Sequence, residues 1–238
     1  MGRKTVLVTG TSRGIGFDIA SECHLKGYEV IGLSSKEIND TKWKHYAVDL
    51  SHKKSKNQLE EIIANHRPCR FVGNAGLLIS GKIEDICEED FHKLFNVNLL
   101  TLMETVQLMI PIFEQESFGR VVLIGSRAAL GKEDRILYGS SKAAVNGLCR
   151  SLALELAERQ VTVNVIAPGP IETLLFNQGQ PVGSKARNKL EDSIPMKRVG
   201  MPKDIAAATN FFLSDEASYV TGQTLNVCGG LSVGYTSA

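Results

Sequence analysis

The chain has 238 residues, of which 43% are hydrophobic and 22% charged, and this length can bury a substantial core. Lysine and arginine number 27 and aspartate and glutamate 26, a balance that argues against a nucleic acid or an anionic membrane surface as partner. No apolar run approaches the roughly 20 residues of a membrane span, and we expect no secretory leader, because the N-terminal residues run directly into a predicted strand.

Short apolar segments alternate with longer helical patterns along the chain. The predicted strands are 5–8, 29–33, 45–48, 69–72, 120–125, 161–166 and 224–227, and the predicted helices lie near 14–26, 53–66, 88–115, 138–159 and 202–214. Several strands are apolar almost throughout, as expected for strands buried on both faces of a parallel sheet. The alternation predicts an α/β fold with a doubly wound, mostly seven-stranded parallel sheet of the Rossmann-like type, in a single domain covering residues 1–238.

Two stretches depart from this alternation. Residues 34–44 are too few for the usual crossover helix, so we expect a turn there. The stretch 170–201 has little strand character and several glycines and prolines, with one short helix predicted near 184–192. Long segments of this kind usually serve as lids or binding loops, so we interpret 170–201 as the substrate loop.

Cysteine and histidine positions give no sign of a metal site. The five cysteines are scattered without a C-x-x-C pair, and the five histidines lack ligand spacing. We therefore expect no bound metal, and free thiols in a reducing cytoplasm.

A glycine-rich turn, TGTSRGIG from Thr9 to Gly16, follows the first predicted strand. Glycine permits backbone angles and close approaches that a Cβ would block. The helix that follows presents unpaired N–H groups and a positive dipole end, which together favour phosphate. The turn predicts a dinucleotide site, although an ordinary strand-to-helix turn with glycine caps has the same local pattern.

Further motifs follow this turn in a fixed order. They are NAG at 74–76, Asn98, Ser126, YGSSK at 138–142 and PGPIET at 168–173. Each motif alone is weak evidence. In their joint order and spacing, from Thr5 to Gly230, the motifs make the chain resemble the short-chain dehydrogenase/reductase family. The resemblance implies an oxidoreductase that moves a hydride between a nicotinamide cofactor and a ketone or secondary alcohol.

Four residues are the candidate catalytic set. Tyr138 and Lys142 are four apart in a predicted helix and so share a face, where the ammonium is expected to lower the pKa of the phenol for proton exchange. Ser126 follows a strand and can stabilise charge on the substrate oxygen. By the resemblance, Asn98 positions water and Lys142, and Lys142 holds the nicotinamide ribose. A Tyr–Lys pair or a serine in these settings is by itself usually structural, so only the joint order supports the assignment.

The cofactor preference is inferred from the end of the second strand. Ser34, Ser35 and Lys36 stand where NAD-binding proteins place an acidic residue. Arg13 matches a position that contacts the 2′-phosphate in NADP-preferring relatives, and a guanidinium suits phosphate. We therefore predict NADP(H) in preference to NAD(H).

The resemblance implies a wider set of cofactor contacts. Asp49 is expected at the adenine amino group, and Thr173 and Ile171 at the nicotinamide carboxamide. Gly73 replaces an asparagine that relatives usually carry, which we expect to loosen the wall beneath the adenosine ribose. The full set is Gly10, Ser12, Arg13, Gly14, Ile15, Gly16, Ser34, Asp49, Leu50, Asn74, Ala75, Gly76, Tyr138, Lys142, Pro168, Gly169, Ile171 and Thr173.

The substrate is left open as a small carbonyl or alcohol compound. Apolar residues 174–176 could cover an apolar substrate, and Lys185, Arg187 and Lys189 could meet an acidic one such as a thioester on an acidic carrier protein, or be a solvated charge run. The leading hypothesis is an NADPH-dependent reductase resembling 3-oxoacyl-thioester reductases. Alternatives are a secondary-alcohol or diol dehydrogenase, and a non-enzymatic redox sensor, which the intact Tyr138 and Lys142 disfavour. The resemblance also implies a homodimer or homotetramer built on helices 88–115 and 138–159.

Overall fold

The computed structural model describes residues 4–52 and 54–234. The strands are β1 (Thr5–Thr9), β2 (Glu29–Ser34), β3 (Lys44–Ala47), β4 (Arg70–Gly73), β5 (Gly119–Ile124), β6 (Val161–Pro168) and β7 (Thr224–Val227). The helices are α1 (Gly14–Leu25), α2 (Ser55–His66), α3 (Glu88–Phe95), α4 (Thr101–Glu116), α5 (Ile136–Leu156), α6 (Leu174–Gly179), α7 (Lys185–Ser193) and α8 (Pro202–Leu213).

The seven strands form one sheet in the order β3-β2-β1-β4-β5-β6-β7, with every neighbouring pair parallel. The chain order reverses between β1 and β4, where the crevice outside the carboxyl ends of the strands is the usual ligand site of such sheets. The predicted fold class is therefore confirmed.

Alternate side chains of each central strand enter two separate cores, as the two-residue period of a strand requires. On β1, Leu7 packs toward α2, α4 and α5, together with Phe113 and Met109. Val6 and Val8 face the other layer, which α1 and α8 cover. Apolar burial on both faces of the sheet is the main stabilising contribution to this fold.

The connections differ from the sequence prediction in two places. A turn links β2 to β3 as predicted, but the predicted helix 88–115 is interrupted by a π-helical turn at Asn96–Leu100 between α3 and α4. The stretch 170–201 holds two helices, α6 and α7, rather than one. The first residue of the predicted helix 53–66 lies outside the described residues, and α2 begins at Ser55.

The continuous helical run Glu88–Glu116 is long and apolar enough to span a membrane by length and composition. Its apolar residues are used within the fold, since Leu94 is fully buried and Val106, Met109 and Phe113 belong to the core on one face of the sheet. A core helix of a sheet layer passes the same length and composition test, so the run gives only weak evidence for a membrane.

Candidate active site

The glycine turn between β1 and α1 is packed too closely for side chains. A Cβ on Gly16 would lie 2.2 Å from the carbonyl oxygen of Gly10, and one on Gly10 would lie 2.6 Å from Asn74 Nδ2. Gly10 and Gly14 have φ of 76° and 60°, in the left-handed region. The turn therefore exposes backbone at the amino end of α1, where N–H groups are free for an anion.

Thr9 and Asn74 join the ends of β1 and β4 beside this turn. The Thr9 hydroxyl accepts hydrogen bonds from the backbone N–H groups of Asn74 and Ala75, both at 3.0 Å. The Asn74 amide donates to the carbonyl oxygens of Thr9 and Gly10, at 2.9 and 3.3 Å. The predicted residues 74–76 thus lie against the glycine turn, and Thr9, which the sequence reasoning missed, fixes them there.

The backbone at Gly73 is tightly packed against neighbouring side chains. A Cβ on Gly73 would lie 2.4 Å from Leu102 Cδ2 and 3.2 Å from Leu123 Cδ2. The expected loosening is therefore wrong, because the Leu102 side chain fills the space beside Gly73.

Arg13 stands at the amino end of α1 with its side chain exposed. None of the ion pairs between described residues includes it. Ser34, at the end of β2, is buried, and its hydroxyl donates to the Lys36 carbonyl oxygen at 2.8 Å and hydrogen-bonds His45 Nε2 at 2.9 Å. Ser35, Lys36 and Glu37, which follow β2, are all exposed. The strand end at Ser34, Ser35 and Lys36 therefore carries no carboxylate, and the first carboxylate after it is that of Glu37.

Asp49 lies in the turn after β3 with its side chain largely exposed. Its carboxylate accepts from the N–H and the hydroxyl of Ser51, at 3.0 and 2.7 Å, and these bonds hold the pKa of Asp49 below its usual value. Leu50, next to it, packs against the core. The carboxylate is therefore ionised at neutral pH and fixed in place by local bonds.

Asn98 is fully buried in the π-helical turn. Its Oδ1 accepts from the Leu77 N–H at 2.7 Å, and its Nδ2 donates to the Leu77 carbonyl oxygen and to the Ser141 hydroxyl, both at 3.0 Å. Ser141 in turn donates to the Tyr138 carbonyl oxygen at 2.8 Å. The π turn, a feature often found at functional sites, thereby connects Asn98 to the helix that carries Tyr138 and Lys142.

Lys142 is buried at the carboxyl end of β5. Its ammonium donates to the Ile124 carbonyl oxygen at 2.8 Å, and burial lowers the pKa of Lys142 to about 8. Both Lys142 Nζ and Asn98 Oδ1 flank Gly76, at 3.5 and 3.2 Å from where its Cβ would stand. The structure thus brings these two predicted residues close to the same point of the Gly76 backbone.

Tyr138 lies beside Ser126 and Lys142 in the first turns of α5. Lys142 Nζ is 5.9 Å from the centre of the Tyr138 ring, and the Ser126 hydroxyl is near enough to the phenol to lower its pKa. Burial raises the pKa of Tyr138 above its usual value, while Ser126 and the charge of Arg135 oppose this rise. The expected net lowering of the pKa of Tyr138 is wrong for this structure, because desolvation of the phenolate outweighs Ser126 and Arg135, and Lys142 is not among the groups that lower it.

Ser126 is held where β5 ends by a short turn. Its hydroxyl accepts from the Ala128 N–H at 3.0 Å and caps the 3₁₀ turn Arg127–Leu130. A Cβ on Gly139 would lie 2.9 Å from the Ala128 carbonyl oxygen, so this turn packs directly on α5. The four candidate catalytic residues are therefore gathered at one edge of the sheet.

The PGPIET segment follows β6 at the same edge. Gly169 donates its N–H to the Val227 carbonyl oxygen at 2.9 Å, and a Cβ there would lie 2.7 Å from the backbone of Cys228. Thr173 caps α6 by accepting from the Phe176 N–H at 3.2 Å. Its Cγ2 lies 3.3 Å from where a Cβ of Gly14 would stand, so Thr173 borders the glycine turn.

The basic residues of the substrate loop separate into two kinds. Lys185 and Lys189 are exposed, but Arg187 is 5% exposed and forms ion pairs with Glu172 and Glu191. The expectation that Arg187 meets an acidic substrate, or is part of a solvated charge run, is therefore wrong. Its guanidinium is already occupied by carboxylates of its own chain.

A dinucleotide suits this edge of the sheet. Glycines that leave no room for a Cβ, the amino end of α1 and Arg13, which forms no ion pair with a described residue, are what a pyrophosphate and a further phosphate require. Among the described residues no cluster of histidine, cysteine, aspartate and glutamate has the geometry of a metal site.

Comparison with known proteins gives relatives over nearly the whole chain. The family model described as enoyl-(acyl carrier protein) reductase, of the short-chain dehydrogenase/reductase family, matches residues 10–232. The 3-oxoacyl-[acyl-carrier-protein] reductase FabG of Haemophilus influenzae is 35% identical, over 96% of this chain and 98% of its own. The FabG of Buchnera aphidicola is 34% identical, over 96% and 97%.

Solved structures agree with these relatives. The aldohexose dehydrogenase of Thermoplasma acidophilum has a TM-score of 0.91 at 30% identity, covering 98% of this chain and 96% of that one. A candidate NAD(P)-dependent gluconate 5-dehydrogenase from Beutenbergia cavernae, with NADP bound at low occupancy, has a TM-score of 0.89 at 30% identity, covering 98% of this chain and 100% of that one. The chain therefore belongs to the short-chain dehydrogenase/reductase family and is an oxidoreductase acting on CH–OH or C=O groups.

Proposed function

We propose that this protein is an NADPH-dependent reductase that converts a ketone to a secondary alcohol, with a 3-oxoacyl thioester as the favoured substrate class. The observation that carries the proposal is that the half-buried Tyr138, Ser126 and the buried Lys142, whose Nζ is 5.9 Å from the centre of the Tyr138 ring, lie at the sheet edge that also holds the glycine turn. The FabG relatives, which match the chain almost end to end, support the 3-oxoacyl thioester.

The cofactor residues divide by the part of the dinucleotide they would hold. The pyrophosphate would lie on Gly10, Ser12, Gly14, Ile15 and Gly16, and the 2′-phosphate on Arg13 near Ser34. Asp49, Leu50, Asn74, Ala75 and Gly76 would hold the adenosine half, and Pro168, Gly169, Ile171 and Thr173 the nicotinamide half. When bound, the cofactor supplies the hydride.

Each catalytic side chain has one task in this proposal. The raised pKa of Tyr138 keeps the phenol protonated at neutral pH, which is the form that donates a proton to the substrate oxygen in reduction. Ser126 donates a hydrogen bond to the same oxygen as negative charge develops. Lys142 supplies a positive charge beside the phenol. Asn98 holds the first turns of α5 in position through its hydrogen bond to Ser141.

A substrate panel tests the proposal directly. The protein is incubated with NADPH and, separately, β-ketoacyl thioesters, simple ketones and aldehydes, while absorbance of the reduced cofactor is followed. Turnover of a 3-oxoacyl thioester is expected. NADPH binding without turnover of any compound would favour a redox sensor instead.

Tyr138→Phe tests the proton donor. Loss of the hydroxyl should lower kcat by about 100-fold or more, while NADPH binding measured by fluorescence stays near that of the wild type. Retained activity would rule out this mechanism.

A second candidate is a sugar or polyol dehydrogenase that works in the oxidative direction. The aldohexose and gluconate dehydrogenases, at 30% identity and TM-scores of 0.91 and 0.89, favour it. Turnover with sugar alcohols or aldoses and an oxidised cofactor, and none with 3-oxoacyl thioesters, would establish this alternative.

Assembly as a homodimer or homotetramer is also part of the proposal, as is a cytoplasmic location. Exposed apolar side chains on α4 and α5, Met103 at 46% and Leu154 at 82% exposure, support an interface on these helices. Sedimentation velocity should give a mass of two or four chains.

A further inference from the structure

Arg187 is the most thoroughly buried cation of the substrate loop. Its guanidinium, on α7, is 5% exposed and lies 4.9 Å from the centre of the Phe176 ring. Burying a guanidinium is costly unless its donors are satisfied, and here every contact lies between residues 172 and 191.

Two carboxylates share this guanidinium. Glu191, one turn along α7, accepts from Nε at 2.6 Å, and Glu172 accepts from Nη2. Nη1 donates to Asn177 Oδ1 at 3.3 Å and reaches the Gln180 carbonyl oxygen at 3.5 Å. Glu191 therefore pairs within one helix, whereas Glu172 joins α7 to the segment that follows β6.

The Glu172 side of this network leads to the cofactor residues. The Glu172 N–H donates to the Gly200 carbonyl oxygen at 2.8 Å, and Gly200 donates back to Pro170 at 3.0 Å. The next residue, Thr173, caps α6 and borders Gly14 of the glycine turn. The ion pair thus holds the residue directly before Thr173 from one side, and the Gly200 bond holds it from the other.

The ion pair between Arg187 and Glu172 is charged at neutral pH. The hydrogen bond from Arg187 holds the pKa of Glu172 below its usual value, so the carboxylate is ionised at neutral pH. Because the guanidinium is almost fully withdrawn from water, the pair is screened far less than the exposed ion pairs on the surface.

We propose that Arg187 is a positioning residue that, through Glu172, fixes Thr173 against the glycine turn, so that the substrate loop and the nicotinamide end of the cofactor site form one unit. The cofactor part of this inference rests on the proposed function. Because the network lies within one chain, the link needs no partner subunit.

Two isosteric changes separate this role from a purely structural one. Glu172→Gln weakens the link between α7 and Thr173, and Glu191→Gln weakens a pair of the same guanidinium that lies within α7. If Arg187 only stabilises the loop, both variants should behave alike. If it positions Thr173, only Glu172→Gln should affect the cofactor.

The measurements are NADPH affinity by fluorescence titration and steady-state kinetics. For Glu172→Gln we expect about tenfold weaker NADPH binding and a raised KM for NADPH, with kcat at saturating NADPH close to the wild type. Glu191→Gln should match the wild type in both. Equal effects of the two variants, or no effect of either, would overturn the inference.

Hydrogen exchange of the protein without cofactor gives a readout independent of the proposed function. Glu172→Gln should speed exchange of the amides of residues 174–180, and Glu191→Gln should not. Unchanged exchange there in Glu172→Gln would contradict the positioning role. A wild type that binds no NADPH would count against the proposed function alone and leave this exchange test valid.

Discussion

At the scale of single residues, Gly16 is the tightest point of the cofactor turn. Its missing Cβ would stand 2.2 Å from backbone, which cannot move aside as a flexible side chain can. Gly16→Ala should therefore abolish measurable NADPH binding and lower the free energy of unfolding by about 1–3 kcal/mol. Calorimetric titration and urea denaturation measure the two effects.

Gly179→Ala is the matched control, because a Cβ at this exposed end of α6 meets no atom within 4 Å. Binding and stability should both stay near those of the wild type. If Gly16→Ala binds NADPH as well as Gly179→Ala does, the glycine turn is not the pyrophosphate site.

Arg13 decides the proposed preference between the two nicotinamide cofactors. Its guanidinium is exposed and forms no ion pair with a described residue, so it is available to a 2′-phosphate. Arg13→Ala should raise the KM for NADPH by about tenfold to a hundredfold and leave the KM for NADH almost unchanged. Steady-state kinetics with both cofactors test this, and a wild type that prefers NADH would refute it.

At the scale of elements, the π turn between α3 and α4 is held by one amide. Asn98→Ala would leave the N–H and C=O of Leu77 without their partner in a buried site. We expect the free energy of unfolding to fall by about 2–4 kcal/mol, and by about 1–2 kcal/mol in Ser141→Ala, which removes the bond from the Asn98 amide and the bond from Ser141 to the Tyr138 carbonyl oxygen. Denaturant titration measures both, and equal losses would show that the Leu77 bonds contribute nothing.

The sheet could be predicted from the sequence because its strands appear as short apolar runs between helical patterns. Strands such as β1 and β6 are mostly apolar and are buried throughout, and the sheet they form follows from that pattern. The π turn has no such signal, since Asn98 reads as an ordinary polar residue in an apolar helix. The six-residue α6 was missed because it depends on a Thr173 cap and on tertiary contacts rather than on periodicity.

At the scale of the whole molecule, the parallel sheet explains why distant motifs predicted one site. The ends of β1, β4, β5 and β6 are neighbours at one edge, so residues predicted separately in the glycine turn, at Ser126 and in PGPIET lie together. The sequence could not show which side chains fill a gap or which charged groups pair with each other. Leu102, which fills the space beside Gly73, is distant from it in the chain. Arg187, which pairs with carboxylates, stands in a run of charged residues that looks solvated in the sequence.

Stability and activity oppose each other at Lys142. The pKa of its ammonium falls from 10.5 to about 8 on folding, a cost of about 3 kcal/mol below pH 8, where both folded and unfolded chains hold the proton. Between pH 8 and 10.5 the unfolded chain binds this proton more than the folded one, so the cost shrinks as pH rises.

Lys142→Met, which keeps a long unbranched side chain, should therefore be inactive yet more stable at pH 7. Loss of the bond to the Ile124 carbonyl offsets about 1 kcal/mol of the gain, which leaves about 2 kcal/mol. Urea denaturation at pH 7 and at pH 9.5 should show the stability difference between variant and wild type shrinking by roughly 1.4 kcal/mol per pH unit above 8. A difference that is constant over this range would mean that Lys142 keeps an ordinary pKa in the folded protein, and that burial does not tune the cation beside Tyr138.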